Sequence, residues 1–318
     1  MIPDPAQGTS TRGNGPFSRP VAALALIYLL ATALPASILG LNRTVPGASS
    51  GAAVLPTTVL FIVLAAMGTA FFLVRVDPFL HRRPVVRIQL LFFTLAFSAG
   101  LFVLSGWPGI SSGTAMLLNS ANLFVLALLL GSWMVVPLKR AAELVPVCAV
   151  MTAADLFSVF GGPSRGMAKD IAAYYEGGRV GPVPAADFLL LKVAVPGMPA
   201  LVPVFGVADW IMVVFLAATA ARFGLDDNLA GRGLDSMVAG GRTRPYLGVS
   251  VVGLCLAVLL ARSSGVFLPA LPVVAAVFLG YVLVRYPGVR RLRTSDWALV
   301  LLTVAVMAGL TVYHSASL

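Results

Sequence analysis

Long apolar segments recur along the whole chain and are separated by shorter polar loops that contain glycine and proline. About 20 consecutive apolar residues are enough for an α-helix to cross a lipid bilayer. By that rule about nine segments qualify, at roughly 20–41, 53–75, 88–107, 114–138, 142–160, 199–221, 246–261, 265–284 and 297–313. The pattern predicts an all-α polytopic membrane protein with about nine transmembrane helices.

The apolar segments and the loops between them divide the chain into four parts. Residues 1–19 are rich in Pro, Gly, Ser and Thr, a composition that predicts a disordered N-terminal tail. Residues 20–141 contain four of the predicted helices. Residues 142–285 contain four more, together with an unusual loop at 161–198, and residues 286–318 contain an extra C-terminal helix.

The loop 161–198 contains two segments that should have local structure of their own. Residues 167–175 have the pattern of a short amphipathic helix, which would lie at the membrane interface. Residues 187–195 form a short apolar run bounded by prolines, which is typical of a strand. Because strand edges are costly in lipid, we expect this run to be buried in protein or to line a wet cavity.

The charged residues mainly inform topology. Only 11% of the residues are charged, 59% are hydrophobic, and the formal net charge is +10. The Lys and Arg residues are spread over loops without interleaved aromatic residues, so nucleic-acid binding is not expected. Placing the Arg-rich loops in the cytoplasm predicts a cytoplasmic N-terminus and an external C-terminus. The loop 161–198 then lies outside, although it carries four basic residues.

Residues that commonly bind metals are scarce in this chain. The two cysteines, Cys148 and Cys255, both lie inside apolar segments, and the two histidines, His81 and His314, are isolated. This spacing matches neither a disulfide framework nor a metal site. We therefore expect buried thiols, no metal site and no cofactor.

Two acidic residues lie well inside apolar segments: Asp155 in 142–160 and Asp209 in 199–221. A carboxylate in hydrocarbon is costly unless it is neutralised. No Lys or Arg lies at a similar position, so two close carboxyl groups should share one proton. That state suits peptide hydrolysis, because the ionised member accepts a proton from water and the protonated member polarises the carbonyl. It also suits a proton-coupled transporter or a channel, and both interpretations stay open at this point.

The two aspartates can meet only if they lie at the same depth. Asp155 lies about 8 Å from the loop-side end of its segment, and Asp209 would lie about 16 Å deep if its helix began at residue 198. Pro203 and the neighbouring prolines favour a later start. We therefore expect irregular backbone up to about Pro203 and Asp209 in the first turns of its helix. Gly206 would lie one turn before Asp209, where a missing side chain lets another backbone approach.

Three stretches resemble motifs of the presenilin and signal peptide peptidase family of intramembrane aspartyl proteases. In chain order they are Asp155-Leu-Phe-Ser-Val-Phe-Gly161, similar to the first aspartate motif, Gly206-Val-Ala-Asp209, similar to the Gly-x-Gly-Asp motif, and Pro269-Ala270-Leu271, the Pro-Ala-Leu motif. The motifs follow the order of the family, with one predicted helix between the second and the third. The resemblance covers about residues 142–285.

The resemblance implies a presenilin-like bundle that cleaves transmembrane helices or remnant signal peptides inside the bilayer. It implies catalytic roles for Asp155 and Asp209. The residues that it assigns to substrate binding are Gly206, Ala208, Pro269, Ala270 and Leu271. It also implies that the run 187–195 pairs with an unwound substrate as an added strand.

Two alanines and the helix count differ from the pattern of that family. Ala154 stands where the family has Tyr, and Ala208 stands where it has the second Gly of Gly-x-Gly-Asp. Four predicted helices precede the first motif instead of five, and an extra one follows the third. The alternatives are a proton-coupled transporter or channel and a catalytically silent relative that binds membrane helices. The expected partners are membrane-protein substrate helices and the lipid bilayer, and the expected location is the plasma membrane of a prokaryote.

Overall fold

The computed structural model describes residues 18–44, 53–105, 112–160, 163–178, 183–264 and 268–316. Within these ranges the chain forms twelve α-helices and one two-stranded antiparallel sheet. The helices are α1 (Ser18–Thr44), α2 (Val54–Arg75), α3 (Asp77–Arg82), α4 (Pro84–Ser105), α5 (Ser112–Trp133), α6 (Leu144–Phe160), α7 (Pro163–Glu176), α8 (Val207–Phe223), α9 (Leu234–Gly240), α10 (Val249–Ser264), α11 (Ala270–Arg285) and α12 (Thr294–Ala316). The strands are β1 (Leu190–Val193) and β2 (Val202–Gly206), and 3₁₀ turns occupy Ala141–Glu143, Ala185–Leu189 and Pro287–Arg290. The predicted helical class is therefore confirmed, with a small hairpin added to it.

Five of the described helices are long and apolar enough to cross a membrane. They are Arg19–Asn42, Val54–Arg75, Pro84–Ser105, Gly113–Trp133 and Ala141–Val159. Shorter apolar helices follow at Val249–Ser264, Ala270–Arg285 and Thr294–Met307. A multi-pass arrangement fits these five helices, and each of the nine predicted segments contains most of one helix.

The helix before the loop 161–198 ends at Phe160 as predicted, whereas the helix after the loop begins later than predicted. The helix predicted at 199–221 begins only at Val207, because the residues before it form β2. The late start is confirmed, and the backbone is irregular over residues 194–201, but the prediction missed that residues 202–206 form a strand. The amphipathic helix predicted at 167–175 is confirmed as α7. Of the predicted tail 1–19, only Ser18 and Arg19 lie among the described residues, and both belong to α1.

α8 is the buried centre of the helix bundle. Nearly all its residues between 210 and 220 are buried, and α5 packs along it. A Cβ atom added to Gly131 of α5 would lie 2.7 Å from the carbonyl oxygen of Ile211. Small residues at helix interfaces permit such close backbone contact in membranes. A side chain at residue 131 would therefore push α5 away from α8.

Two helices of the C-terminal half, α11 and α12, pack against α6, the helix that carries Asp155. α11 packs against α6, α8 and α10, whereas α12 packs against α6. At the end of α6 away from Asp155, the Arg140 guanidinium contacts the Asp296 carboxylate at 3.2 Å and the Glu143 carboxylate at 3.3 Å. The backbone N–H of Arg293 also donates to Asp296 at 2.8 Å, which caps the start of α12. The extra C-terminal helix is thus anchored beside the helix of the first motif.

Candidate active site

Asp155 lies on the last turns of α6, where it contacts the start of α11. Its side chain is half-buried, and its Oδ2 accepts a hydrogen bond of 3.2 Å from the backbone N–H of Leu271. Leu271 belongs to the first turn of α11, for which Pro269 is the N-cap residue. The structure therefore joins the first and third motifs of the sequence through a direct hydrogen bond.

The prolines of the third motif explain why α11 begins at this place. Pro269 has extended backbone angles, φ −64° and ψ 129°, and the helix starts at the next residue. Pro272 lies in the first turn, where a missing N–H is tolerated. The first N–H groups of a helix have no partner within it and carry partial positive charge. Asp155 supplies the acceptor for one of them, so the end of α11 stabilises negative charge on this carboxyl group.

Asp209 lies in the first turn of α8, immediately after the hairpin. It occupies the third helical position, and its Oδ2 accepts the backbone N–H of the N-cap residue Gly206 at 2.9 Å. This is the acidic half of a capping box. The positive end of the α8 dipole therefore stabilises negative charge on Asp209, as α11 does for Asp155.

The two carboxyl groups lie on helices that both pack against α11: Asp155 in the last turns of α6 and Asp209 in the first turn of α8. Both are half-buried, and both accept a backbone N–H at a helix start. In the part of the chain that the structure describes, no ion pair joins Lys or Arg to Asp155 or Asp209. Such a pair can hold one proton between its members while backbone dipoles stabilise the remaining charge.

The residues next to the two aspartates differ in exposure. Ala154 and Ala208, the two alanines that depart from the family pattern, are both exposed. Small exposed side chains beside each carboxyl group leave room for another molecule to approach. Pro269 and Leu271 are buried and Ala270 is half-buried. Leu271 contacts Asp155 through its backbone N–H.

Gly206 has a simpler environment than the sequence predicted. Its backbone is extended, with φ −72°, so no left-handed conformation requires glycine here. An added Cβ would have as its nearest neighbours the Oδ2 of Asp209 at 3.4 Å and the backbone nitrogen of Ala208 at 4.0 Å. The predicted close approach of another backbone is therefore not found among the described residues. Gly206 instead contacts Asp209, one of the two catalytic candidates.

The hairpin has one edge attached to the bundle. Leu190 of β1 is paired with Gly206 of β2, and a bulge lies between Leu191 and Lys192. On its other side, β1 contacts α5, where Ser120 Oγ accepts the backbone N–H of Lys192 at 2.8 Å and donates to its carbonyl oxygen at 3.1 Å. β2 has no second strand beside it within the described ranges.

Two asparagines fix the segments on either side of β1. Asn119 of α5 donates to the carbonyl oxygen of Phe188 at 2.7 Å. Asn42 of α1 donates to the carbonyl oxygen of Val195 at 2.8 Å and accepts the N–H of Gly197 at 2.9 Å. The expectation that the run 187–195 is buried in protein is confirmed by these contacts.

A buried ion pair beside the hairpin was missed by the sequence analysis. Asp187 and Lys192 contact each other through their charged atoms, and their side chains are 0% and 2% exposed. The Tyr175 hydroxyl of α7 donates to Asp187 at 3.0 Å. Opposite charges five residues apart in an apolar run were the available signal. The cation serves Asp187, and neither Asp155 nor Asp209 pairs with it.

Two cavities lie near the hairpin, and neither is lined by Asp155 or Asp209. The first, of about 410 Å³, lies between α1, α2 and α5 and is apolar apart from Ser120 and Lys192. The second, of about 400 Å³, lies between α1, α5, α7 and residues 199–201. Phe61 and Phe124 of the first cavity belong to a chain of aromatic contacts with Phe205 and Trp210. That chain extends from the cavity wall to the residue beside Asp209.

No known protein family, curated protein or solved structure matches this chain. The resemblance to presenilins and signal peptide peptidases therefore rests on the three sequence motifs. Among the described residues, no group of three or more His, Cys, Asp or Glu side chains is placed to bind a metal ion.

Proposed function

We propose that this protein is an intramembrane aspartyl endopeptidase that cleaves transmembrane helices or remnant signal peptides with Asp155 and Asp209. The observation that carries the proposal is that two carboxyl groups on different helices each accept a backbone N–H at a helix start, and that neither forms an ion pair with Lys or Arg among the described residues. Each is held by a backbone N–H, and for Asp155 the donor is the leucine of the Pro-Ala-Leu motif. An acid pair with only a structural role would be expected to have a cationic partner.

The proposed reaction needs one proton shared between the two carboxyl groups. The ionised member accepts a proton from a water molecule while the water oxygen bonds to the substrate carbonyl carbon. The protonated member donates to the carbonyl oxygen, so that a tetrahedral diol forms. Return of a proton to the amide nitrogen breaks the C–N bond and releases a carboxyl and an amine end. The starts of α8 and α11 stabilise the charge that remains on the pair throughout.

A helical substrate must unwind before its peptide bonds can reach the pair. An unwound segment in the bilayer needs hydrogen-bond partners, and an exposed strand edge provides them. The outer side of β1 is occupied by Ser120 of α5. We therefore propose that the unwound substrate pairs with β2 and not with the run 187–195. β2 ends at Gly206, next to Asp209.

The first cavity offers a route for an apolar substrate segment. Its walls are almost entirely apolar, as lipid and a transmembrane helix both require. Phe61 and Phe205 contact each other with ring centroids 6.1 Å apart, and Phe205 stacks on Trp210 at 5.8 Å. A substrate that enters between α1, α2 and α5 would thus approach the hairpin from the side of β2 and α8.

Cleavage of a transmembrane peptide by purified protein in detergent tests the proposal. Asp155→Asn and Asp209→Asn should each abolish cleavage, whereas Asp170→Asn, which changes an exposed acid of α7, should not. Unchanged cleavage in either of the first two variants would exclude the pair as the catalytic centre. If the wild-type protein cuts no peptide but a pH gradient drives solute uptake into liposomes, the transporter is the correct function.

A further inference from the structure

The ion pair of Asp187 and Lys192 connects three parts of the molecule. Asp187 lies in the 3₁₀ turn before β1, and Lys192 lies in β1 itself. The Tyr175 hydroxyl links Asp187 to α7, the helix that follows α6. The backbone of Lys192 is bound on both sides by the Ser120 hydroxyl of α5. We name these four residues the hairpin clamp.

The burial of the clamp makes it costly to rearrange. Both charged side chains are almost completely excluded from solvent. Removing one member of such a pair leaves an uncompensated charge in a low-dielectric surrounding. A buried polar group of this kind specifies one arrangement of the chain more than it adds stability, as polar residues in coiled coils set the helix register.

The clamp acts at the point where the hairpin register is weakest. A bulge separates Leu191 from Lys192, and Lys192 is opposite Pro203, which has no N–H to donate. A slip of one residue in a hairpin turns every side chain to the other face of the sheet. Beyond the bulge, Leu190 is paired with Gly206. Gly206 in turn donates to the Asp209 carboxylate at 2.9 Å.

We propose that Asp187 and Lys192 are positioning residues that hold the β1–β2 register, and thereby select which substrate peptide bond meets Asp155 and Asp209. The inference rests on the proposed protease function. Ser120 binds the backbone of Lys192 in β1, and Asp187 binds the side chain of the same lysine. Neither residue contacts the reacting carboxyl groups, so their effect is on alignment.

The test measures the position of the cut as well as its rate. A transmembrane peptide is incubated with wild-type protein, Lys192→Met and Asp187→Asn, and the products are weighed by mass spectrometry. We expect cuts at neighbouring bonds in both variants and a fall in kcat of about 10- to 100-fold, with a smaller change in KM, because misalignment of the reacting groups lowers the rate of the chemical step. The double variant with Asp187→Lys and Lys192→Asp should restore part of the original cleavage pattern.

Two further variants keep the test decisive if the charge variants fold poorly. Tyr175→Phe removes only the hydroxyl that bonds Asp187 and should cause a smaller spread of cuts. Arg285→Gln breaks the exposed contact of 3.4 Å with Asp226 and should leave the pattern unchanged. An active protein whose Lys192→Met, Asp187→Asn and Tyr175→Phe variants all cut the same bond at the wild-type rate would overturn the inference.

Failure of the protease proposal can be told apart from failure of the clamp. If the wild-type protein cuts no peptide, the protease function fails and the selection of a bond fails with it. Amide hydrogen exchange over residues 190–206 then decides whether the clamp holds the hairpin. Faster exchange in Lys192→Met that slows in the charge-reversed double variant supports the clamp, and unchanged exchange refutes it.

Discussion

The acidic residues inside this protein have two different kinds of environment. Asp187 has a cation, Lys192, and a hydroxyl donor, Tyr175, and it is completely buried. Asp155 and Asp209 are half-buried, each accepts one backbone N–H, and among the described residues neither forms an ion pair with Lys or Arg. A fully compensated charge holds structure together, whereas a pair of acids without a cation remains free to exchange a proton. The two environments therefore distinguish a structural acid from the two acids that we propose to be catalytic.

Substitutions at the two kinds of acid should differ most in their effect on the cleavage rate. We expect Asp209→Asn to lower the cleavage rate by about 10²- to 10⁴-fold, because the amide cannot transfer the proton. The unfolding temperature should stay the same or rise, since the amide oxygen can still accept the Gly206 N–H and a repulsive charge is removed. The rate and thermal unfolding are measured on the same preparation. A large loss of stability would mean that Asp209 is a structural acid like Asp187.

The second prediction concerns the stability that the ion pair of Asp187 and Lys192 provides. Among the described residues, Lys192→Met leaves the buried Asp187 carboxylate with the Tyr175 hydroxyl as its one side-chain partner, which should cost about 3–5 kcal/mol of unfolding free energy. Combining Lys192→Met with Asp187→Leu removes both charges and should recover most of that stability. Denaturant or thermal unfolding in detergent measures both. Equal stability of the single and double variants would show that the ion pair is not what these residues contribute.

A third acid, Asp227, shares features with both kinds of acid. It lies outside the membrane-spanning segments. It is completely buried in the loop between α8 and α10, and one of its oxygens accepts the Tyr246 hydroxyl at 2.7 Å. Burial raises the pKa of Asp227 from 3.8 to about 7. The same burial, together with the negative charge of Asp227, raises the pKa of Tyr246 well above its usual 10.

The shifted pKa of Asp227 makes stability depend on pH. The folded pKa exceeds the unfolded value, so the folded chain binds the proton more tightly. This contribution to stability is complete below about pH 4 and is lost as the pH rises through about 7. Between pH 5 and 8, the unfolding temperature of the wild-type protein should fall by several degrees more than that of Asp227→Asn. Parallel pH profiles of the two proteins would contradict this assignment.

The sequence predicted the helices and singled out the two aspartates, because hydropathy and misplaced charge are local signals. Asp155 and Asp209 stand out in apolar runs, and the prolines near residue 203 predicted the late start of α8. The pairing of Lys192 with Asp187 was missed, since the sequence showed both as loop charges and the loop folds back against α5. The contact of Leu271 with Asp155 depends on where α11 packs, which no local pattern contains.

The smallest effect is expected at Gly206, where the sequence predicted a need for glycine and the structure shows an ordinary contact. An alanine here would place its Cβ 3.4 Å from the Asp209 Oδ2, and its extended backbone suits any residue. Alanine is a poorer N-cap than glycine, so Gly206→Ala should cost less than about 1 kcal/mol of unfolding free energy. Gly280→Ala, in an open position on α11, is the matched control and should be neutral or slightly stabilising. If Gly206→Ala lowered the cleavage rate more than about tenfold at unchanged stability, the added methyl would be blocking a substrate strand along β2 rather than disturbing Asp209.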